Sequence, residues 1–416
     1  MTKNVKVIVG ANYGDEGKGL GTDYFCSLNP ESTIGVLTNG SAQRGHTVDT
    51  KDGHHHVFHH FSSGTFNNIP TYISDSFLIN PMAFVEEYSE LIGKGFQPKY
   101  YIHPDCRVVT PFDMMCNQVD MKKEESHNSC GMGVWRTINR YRKDKEVNLS
   151  IQEWFNLILN NQKQAFQELY NIFLYYYEDI DGYCTGINIT NLIEHFILDI
   201  CFVVDNAILI VKDTEILNNF ETVVFENGQG LALSCYSSDY AEYNPQKFYL
   251  TSTNTGAIVS YRIIERNFCG ANVEICYVTR TYLTRHGDGN FDGHFIEYNS
   301  DNSIFLFDYT NIYNPFQGKL RCSNFVTTLI LNMLGRIRSD FYQNISTSNK
   351  NNYTCSILVT HWNEKPEIHE KLASEIIQYI DYLKKYKYNG NFYISDSKYR
   401  DSVRIYNKEE LEKENK

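Results

Sequence analysis

"VGANYGDEGKGLGTDYF", residues 9–25, decides how the rest of the chain is read. It continues the apolar run Val5-Lys6-Val7-Ile8-Val9 into a turn crowded with glycine, two acids and a lysine. A strand that opens through glycines into a helix turns free backbone N–H groups and the positive end of the helix dipole toward an anion. The stretch therefore predicts a nucleotide-phosphate loop between a strand and a helix. It departs from the Walker A pattern, which needs a glycine where Asn12 stands and a hydroxyl where Gly19 stands. Asp15 is then the candidate ligand for Mg²⁺, because magnesium takes hard oxygen donors, usually one or two carboxylates beside the phosphates. The plain alternative is a βα turn whose charges face water.

Further apolar runs bounded by Gly, Asn or Asp recur at 33–37, 100–102, 207–211, 222–225, 273–278, 304–307 and 356–359. Between them lie helical patterns such as "PMAFVEEYSELIGKG" (81–95) and "EKLASEIIQYIDYLKKY" (370–386). Short strands alternating with helices predict an α/β protein with a mainly parallel sheet. Pro81 suits the first turn of its helix, and Gly93 or Gly95 ends it. No proline- or serine-rich linker and no repeat divides the chain, so residues 1–416 are expected to form one domain with long insertions. "QNISTSNKNN" (343–352) is expected to be a mobile loop and residues 407–416 a charged tail.

The net charge of -12 over 416 residues disfavours a broad nucleic-acid surface and favours small anionic ligands in a local pocket. Eleven scattered cysteines without a C-x-x-C pair indicate neither a disulfide framework nor a zinc ribbon, and fit a reducing compartment. No run approaches the roughly 18 apolar residues of a membrane span, and the N-terminus lacks a signal peptide's apolar stretch. The expectation is a cytoplasmic protein bound to neither membrane nor nucleic acid.

"GDEGKG" (14–19) resembles the signature of adenylosuccinate synthetases, and "NGSAQRGHTV" (39–48) resembles that family's second signature ending in Gly-His-Thr. Further similar pieces follow in the family's order: "HFSSGTF" (60–66), "INPMAFVEE" (79–87), "FENGQG" (225–230), "TSTNTGA" (251–257), "YLTRHGDG" (282–289) and "ISDSKYRDS" (394–402). The resemblance implies a large mixed, mainly parallel sheet flanked by helices, a P-loop-like nucleotide site and a homodimer. It also implies a ligase that joins L-aspartate to the 6-carbon of a purine nucleoside monophosphate, IMP first, with Mg²⁺ and GTP or ATP. Asp15 would be general base for the purine N1 proton as well as a metal ligand, so that removing N1–H drives charge onto O6, which attacks the γ-phosphate. His46 would stabilise the phosphoryl group or the O6 region, and Gly45 would give its carbonyl to the metal. Gly14, Glu16, Gly17, Lys18, Gly19 and Thr47 would complete the phosphate loop, with Glu16 orienting it. Gln43, Ser129, Cys130, Arg142, Gln229 and Thr251 would hold the purine monophosphate.

Several positions depart from the family's pattern. In "HNSCGMGVWR" (127–136) Ser129 keeps a hydroxyl, Cys130 replaces a phosphate-binding threonine and Met132 an arginine, with Arg136, Arg140 and Arg142 near enough to supply charge. Arg142 lies near the position of the arginine that crosses the family's dimer, and Asp144 stands where that arginine aligns. The aspartate-binding loop aligns with "PFQGKLRCS" (315–323), where Lys319 and Arg321 keep cations but lysine does not reproduce a guanidinium clamp. In "LVTHWNEK" (358–365) Asn363 stands near the family's guanine-reading aspartate, which admits ATP in place of GTP; Ser395 and Ser397 follow as base-site residues. A viral branch of the family uses deoxyguanylate and commonly has serine in place of the loop aspartate. Asp15 favours inosinate, with the dGMP ligase and a degenerate nucleotide-binding regulator as alternatives.

Four other features are given simpler readings. "HHHVFHH" (54–60) spaces His56 and His60 four apart, which makes a metal pair only on a helix, whereas the segment reads as a strand. The tyrosines at 170, 175, 176, 177 and 183 fit core and interface packing better than base stacking. Cys130 has no evident base partner, and Asp23 reads as a helix-surface or supporting acid.

Overall fold

The computed structural model describes residues 2–122, 129–143, 148–234, 251, 253–287, 291, 320–345, 350–406 and 410. Sixteen strands occur among them: β1 Asn4–Gly10, β2 Thr33–Leu37, β3 His46–Asp49, β4 His55–Phe58, β5 Thr71–Ile73, β6 Leu78–Ile79, β7 Tyr100–Ile102, β8 Arg107–Val108, β9 Leu209–Ile210, β10 Thr222–Gly230, β11 Asn272–Arg280, β12 Tyr282–His286, β13 Leu320–Asn324, β14 Asn352–Thr360, β15 Phe392–Ile394 and β16 Arg404–Ile405. Ten of them form one sheet in the order β16-β15-β14-β11-β1-β10-β2-β5-β7-β9. Every neighbouring pair in it is parallel except β15 with β16, so the expected α/β class is the observed one.

Strands buried on both faces need apolar side chains on both, and β1 shows how the period of two divides them. Val5, Val7 and Val9 pack into a core with Ile263 of α9 (Ile258–Asn267), Ile330 of α10 (Thr327–Ile345) and Ile376 of α11 (His369–Lys385); the earlier helices are α1 Lys18–Ser27, α2 Pro81–Gly93, α3 Pro111–Asp120, α4 Val134–Lys143, α5 Ile151–Asn160, α6 Gln162–Ile180, α7 Ile189–Asp205 and α8 Asp213–Ile216. Ile8 points the other way, onto Leu20 and Phe25 of α1. A third core joins Leu37 and Ile73 to α2, α3 and α5 through α7. Asn80 caps α2 through its side chain, with Pro81 in the first turn. The tyrosine-rich helix packs as expected at Tyr176, which is buried and donates to Asp113 at 2.9 Å.

One expectation is corrected and one is narrowed. The interval at 343–352 is shorter than a ten-residue loop, because α10 runs to Ile345 and β14 starts at Asn352. Of the two readings of Asp23, the supporting acid holds and the surface acid does not: it is buried in α1 and paired with Arg400 at 2.9 Å. The predicted strand at 304–307 lies outside the described residues, as does the tail except for Glu410. No described helix is long and apolar enough to cross a membrane.

Candidate active site

Parallel sheets bind ligands in the crevice beyond the carboxyl ends of their strands. Here β1, β10, β11 and β14 end side by side, and their last residues and following loops open onto a cleft of about 750 Å³. Asp15, Lys18, His46, Gln229, Arg280 and His361 all line it.

The loop after β1 is held by Glu16. This buried carboxylate accepts the backbone N–H groups of Asn12 (3.0 Å) and Gly14 (2.8 Å) and the Lys18 ammonium (2.8 Å). The side chain thus fixes the loop from behind while Gly14, Asp15, Gly17, Lys18 and Gly19 face the cleft. Gly17 starts α1 at φ 93, and a β-carbon there would lie 2.8 Å from the Thr360 side chain. Thr360 itself donates to the Glu16 carbonyl at 2.8 Å, which docks the loop on the end of β14. The chain also passes close at Gly230, where a β-carbon would stand 2.3 Å from the Asn12 carbonyl. The β1–β10 register shifts just before this point, and Gln229 takes φ 64, so a bulge turns that side chain out of the strand pattern at the cleft.

Asp15 also has positive φ, at 58. Its Oδ2 lies 2.8 Å from His286 Nε2 at the end of β12. Burial alone would raise its pKa, but the His286 hydrogen bond and charge, with Arg280 and Lys18, hold it at about 2. Arg280 donates through Nε to the Asp15 carbonyl and through Nη1 to Tyr282 at 3.1 Å, and Tyr282 donates to Glu364 at 2.7 Å. A line of contacts thus joins Asp15 to the turn that holds Asn363 and Glu364, both on the cleft wall.

His46 begins β3 and is positioned by Glu226 on β10. Its Nδ1 is 2.6 Å from Glu226 Oε1, which also lies 2.9 Å from Arg44 Nη2. Ser63 donates its backbone N–H to Oε2 at 3.0 Å and its hydroxyl to Oε1. Burial would raise the Glu226 pKa, but Arg44 and the His46 and Ser63 hydrogen bonds lower it to about 2. Burial and the Arg44 charge push His46 down to about 4, so at neutral pH the ring is uncharged and donates Nδ1–H to Glu226.

Of the remaining expected site residues, Gln43, Gly45, Thr47, Cys130 and Ser397 line the cleft. Burial pushes the Cys130 thiol up to about 11, which suits a packed side chain and not a nucleophile. Ser129, Thr251, Arg321 and Ser395 are not on the cleft wall: Ser129 bonds Asn117 (2.9 Å), Arg321 donates to the Gly287 carbonyl (2.7 Å), and Ser395 bonds Ser402 (2.7 Å). On β13 it is Leu320 and Cys322 that line the cleft, and the period of two carries Arg321 to the other face. Arg142 is exposed on α4, away from the cleft, and Lys319 lies outside the described residues. Arg136 and Arg140 serve structure, paired with Asp120 (2.6 Å) and Asp113 (2.8 Å). His56 and His60 flank Glu87 of α2 at 3.5 and 3.4 Å, His56 on the β4 arm of the β3–β4 hairpin and His60 just past its end.

Sequence reasoning did not single out Arg44, Glu226, Arg280, His286 or Glu364. Arg44, Glu226 and His286 stand inside quoted motifs, and a charged residue inside a glycine-rich motif was the available signal.

An adenylosuccinate synthetase family model matches residues 7–304. Adenylosuccinate synthetase of Mesoplasma florum is 27% identical over 304 residues, 69% of this chain and 64% of that protein. The Lactobacillus helveticus enzyme is 27% identical over 301 residues, 68% of this chain and 63% of its own length. These matches span just under two thirds of the relatives' length. Fully ligated adenylosuccinate synthetase from Plasmodium falciparum superposes with TM-score 0.68 at 17% identity, over 97% of this chain and all of that one. Cyanophage S-2L succinoaminodeoxyadenylate synthetase, bound to dGMP and dATP as an energy donor, gives 0.62 at 16% identity, over 100% of this chain and 99% of that one. At these identities the superpositions speak for the fold. The family match covers more than half of the chain and takes in the loops of Asp15, His46 and Gln229 that build the cleft, so the protein belongs to the adenylosuccinate synthetase family.

Proposed function

We propose that the protein is a carbon–nitrogen ligase that joins the amino group of L-aspartate to C6 of a 6-oxopurine nucleoside monophosphate, IMP, consuming a nucleoside triphosphate. The observation that carries the reading is Asp15, an ionised carboxylate on the wall of a phosphate-loop cleft that also holds His46, Lys18 and Gln229.

In the proposed reaction Asp15 takes the N1 proton while O6 forms a bond to the γ-phosphorus and the bond to the β,γ-bridging oxygen breaks, its electron pair leaving with the nucleoside diphosphate. A carboxylate held near a pKa of 2 is a weak base, so proton transfer runs together with O6–P bond formation, which acidifies N1. The amine of aspartate then adds at C6 and gives up one of its two N–H protons to solvent, and inorganic phosphate leaves with the C6–O6 bond pair. His46, fixed through Nδ1 by Glu226, turns its other nitrogen to the group in transit. Gln229, turned out by its bulge, fits the purine edge.

Mg²⁺ belongs to the same proposal. Asp15 and the exposed backbone of Gly45 offer hard oxygens on the cleft wall, and no group of three or more His, Cys, Asp or Glu side chains suited to a metal occurs among the described residues. That donor set fits a cation held largely by triphosphate oxygens, which would neutralise phosphate charge when bound. A homodimer is proposed with it, giving the exposed Arg142 a use in a partner's site, as is residence in the cytoplasm, which the free thiols of the described cysteines favour.

Phosphate release tests the reading. With magnesium, GTP or ATP, and aspartate, IMP should stimulate turnover and yield a purine with a succinyl-amino substituent. Stimulation by dGMP in place of IMP would support the second reading, with which the fold likeness to the cyanophage enzyme is compatible. No stimulation by any purine monophosphate would end both.

A further inference from the structure

One face of β12 meets the phosphate loop. Side chains alternate along a strand, so Tyr282, Thr284 and His286 share a face, while Leu283 packs into the core on the other. All three residues of the first face act on the loop. The Tyr282 hydroxyl accepts from Arg280 Nη1 at 3.1 Å, and Arg280 donates through Nε to the Asp15 carbonyl. Thr284 donates its hydroxyl to the Gly14 carbonyl at 2.8 Å. His286 Nε2 lies 2.8 Å from Asp15 Oδ2.

The first two contacts hold the backbone of Gly14 and Asp15, at φ 99 and 58, and say nothing about how the Asp15 side chain turns on its own torsions. Among the described residues, only His286 hydrogen-bonds that carboxylate. An ionised carboxylate has acceptors only, so Nε2 carries the hydrogen and donates it to Oδ2. The nearby cations do not share the task. Lys18 is bonded to Glu16 at 2.8 Å, and Arg280 Nε is on the Asp15 carbonyl. The imidazole itself stands on a paired strand, opposite Leu320 of β13. Neither partner is sealed: the Asp15 and His286 side chains are 25% and 21% exposed, and both line the cleft. The contact therefore orients a group that a ligand in the cleft can reach.

We propose that His286 is a positioning residue that locks the Asp15 carboxylate in one orientation, holding Oδ2 and leaving Oδ1 to take the purine N1 proton. This rests on the function proposed above. A general base must come within hydrogen-bond reach of the proton it removes, and a misplacement of about 1 Å costs on the order of 10²-fold in rate. His286 acts through Asp15 and holds no substrate in this role. Its loss therefore slows turnover and leaves substrate binding nearly as it was.

The test compares wild type, His286→Phe and His286→Gln in the full chain, with saturating magnesium and aspartate. Phosphate release gives kcat and the KM for IMP and for whichever of GTP or ATP the wild type uses, and melting is read beside them. Phenylalanine keeps a ring and removes the N–H. Glutamine gives up the ring and returns an N–H donor of similar reach. The expected result for His286→Phe is near-wild-type melting, a loss in kcat of at least about 10-fold, and both KM values within about threefold of wild type. His286→Gln should recover kcat to within about fivefold of wild type, since the hydrogen bond and not the ring is what counts. Should His286→Phe not fold, His286→Leu carries the same expectation. Wild-type kcat in the phenylalanine variant, an equal loss in the glutamine variant, or a loss that falls on the KM for IMP would each overturn the role. Beside an active wild type, any of these leaves the ligase reading intact. A wild type that releases no phosphate with any purine monophosphate would bring down the ligase reading and this role together.

Discussion

Asp15 and Glu226 are two carboxylates held ionised by different means, and each supports a different test. Asp15 stands in an uncommon backbone conformation, at φ 58, with its side chain on His286 at the cleft wall. Strain of this kind persists where the surroundings over-determine it, which is common at functional sites. Asp15→Asn keeps the shape and removes the base, so kcat should fall by at least about 10²-fold with little change in melting; turnover near wild type would take Asp15 out of the chemistry. Glu226 is the buried anion beneath Arg44 and His46, and Glu226→Gln leaves Arg44 as an uncompensated buried charge, at a cost of about 3–5 kcal/mol. The sign of its pH dependence follows from a folded pKa of about 2 against an ordinary 4.5. The stabilisation is complete above 4.5 and is lost as pH falls toward 2, on the order of 3 kcal/mol in all. Urea unfolding of wild type and Glu226→Gln should therefore converge across that window, and a gap that stays constant would refute the assignment. At this scale Asp15, Lys18, His46 and Gln229 were legible because their motifs name them. His286 and Arg280 were not, since strands far along the sequence bring them to Asp15.

The elements show why much of the fold could be read in advance. Strands such as β2 and β7 lie where the apolar runs predicted them, because a parallel strand buried on both faces has no polar alternation to hide it. The helices α2 and α11 were visible through their spacing, and α2 also through its proline and asparagine cap. The bulge at Gln229 was not visible, since it arises from the register of β10 against β1 and not from any local signal. The β3–β4 hairpin and the turn that follows it bring His56 and His60 onto Glu87, a buried carboxylate from another element that spacing alone does not reveal. The phosphate loop gives the prediction at this scale. Gly17 joins the loop to α1 at φ 93, with the Thr360 side chain 2.8 Å from where a β-carbon would stand. Gly17→Ala must move either the loop or the end of β14, and the expected result is a loss of about 1–3 kcal/mol in stability. The KM for the triphosphate should rise more than that for the purine monophosphate. A KM change confined to the monophosphate would show that the loop serves another ligand.

Across the whole molecule, residues far apart in sequence close around the cleft, and the C-terminal segment is anchored beside the phosphate loop's helix. Arg400 reaches Asp23 of α1 at 2.9 Å and the Asn67 side chain at 2.6 Å, and Asn67 in turn donates to Asp23 at 2.7 Å. The neighbouring Lys398 meets Asp49 of the hairpin that carries His46 at 3.0 Å. The sequence showed "ISDSKYRDS" as a motif of the triphosphate site but gave no sign that its arginine also neutralises an acid almost the whole chain away. Burial raises the Asp23 pKa, and Arg400 with the Asn67 hydrogen bond opposes that rise. Arg400→Ala leaves the buried carboxylate without its charge partner. Because Arg400 is 34% exposed, the full penalty for breaking a buried pair is discounted to about 2 kcal/mol at pH 7. Its pH dependence runs opposite to that of Glu226. A carboxyl whose folded pKa lies above its unfolded value destabilises the fold when ionised, and the penalty fades as pH falls through the raised pKa toward 3.8. Arg400→Ala should therefore be furthest below wild type at pH 7 and approach it near pH 4 in urea unfolding. Adding Asp23→Asn should recover most of the deficit at pH 7, because the charge that Arg400 balances is then gone. If the double variant is no more stable than Arg400→Ala, the tie between the two ends of the chain is packing and not charge.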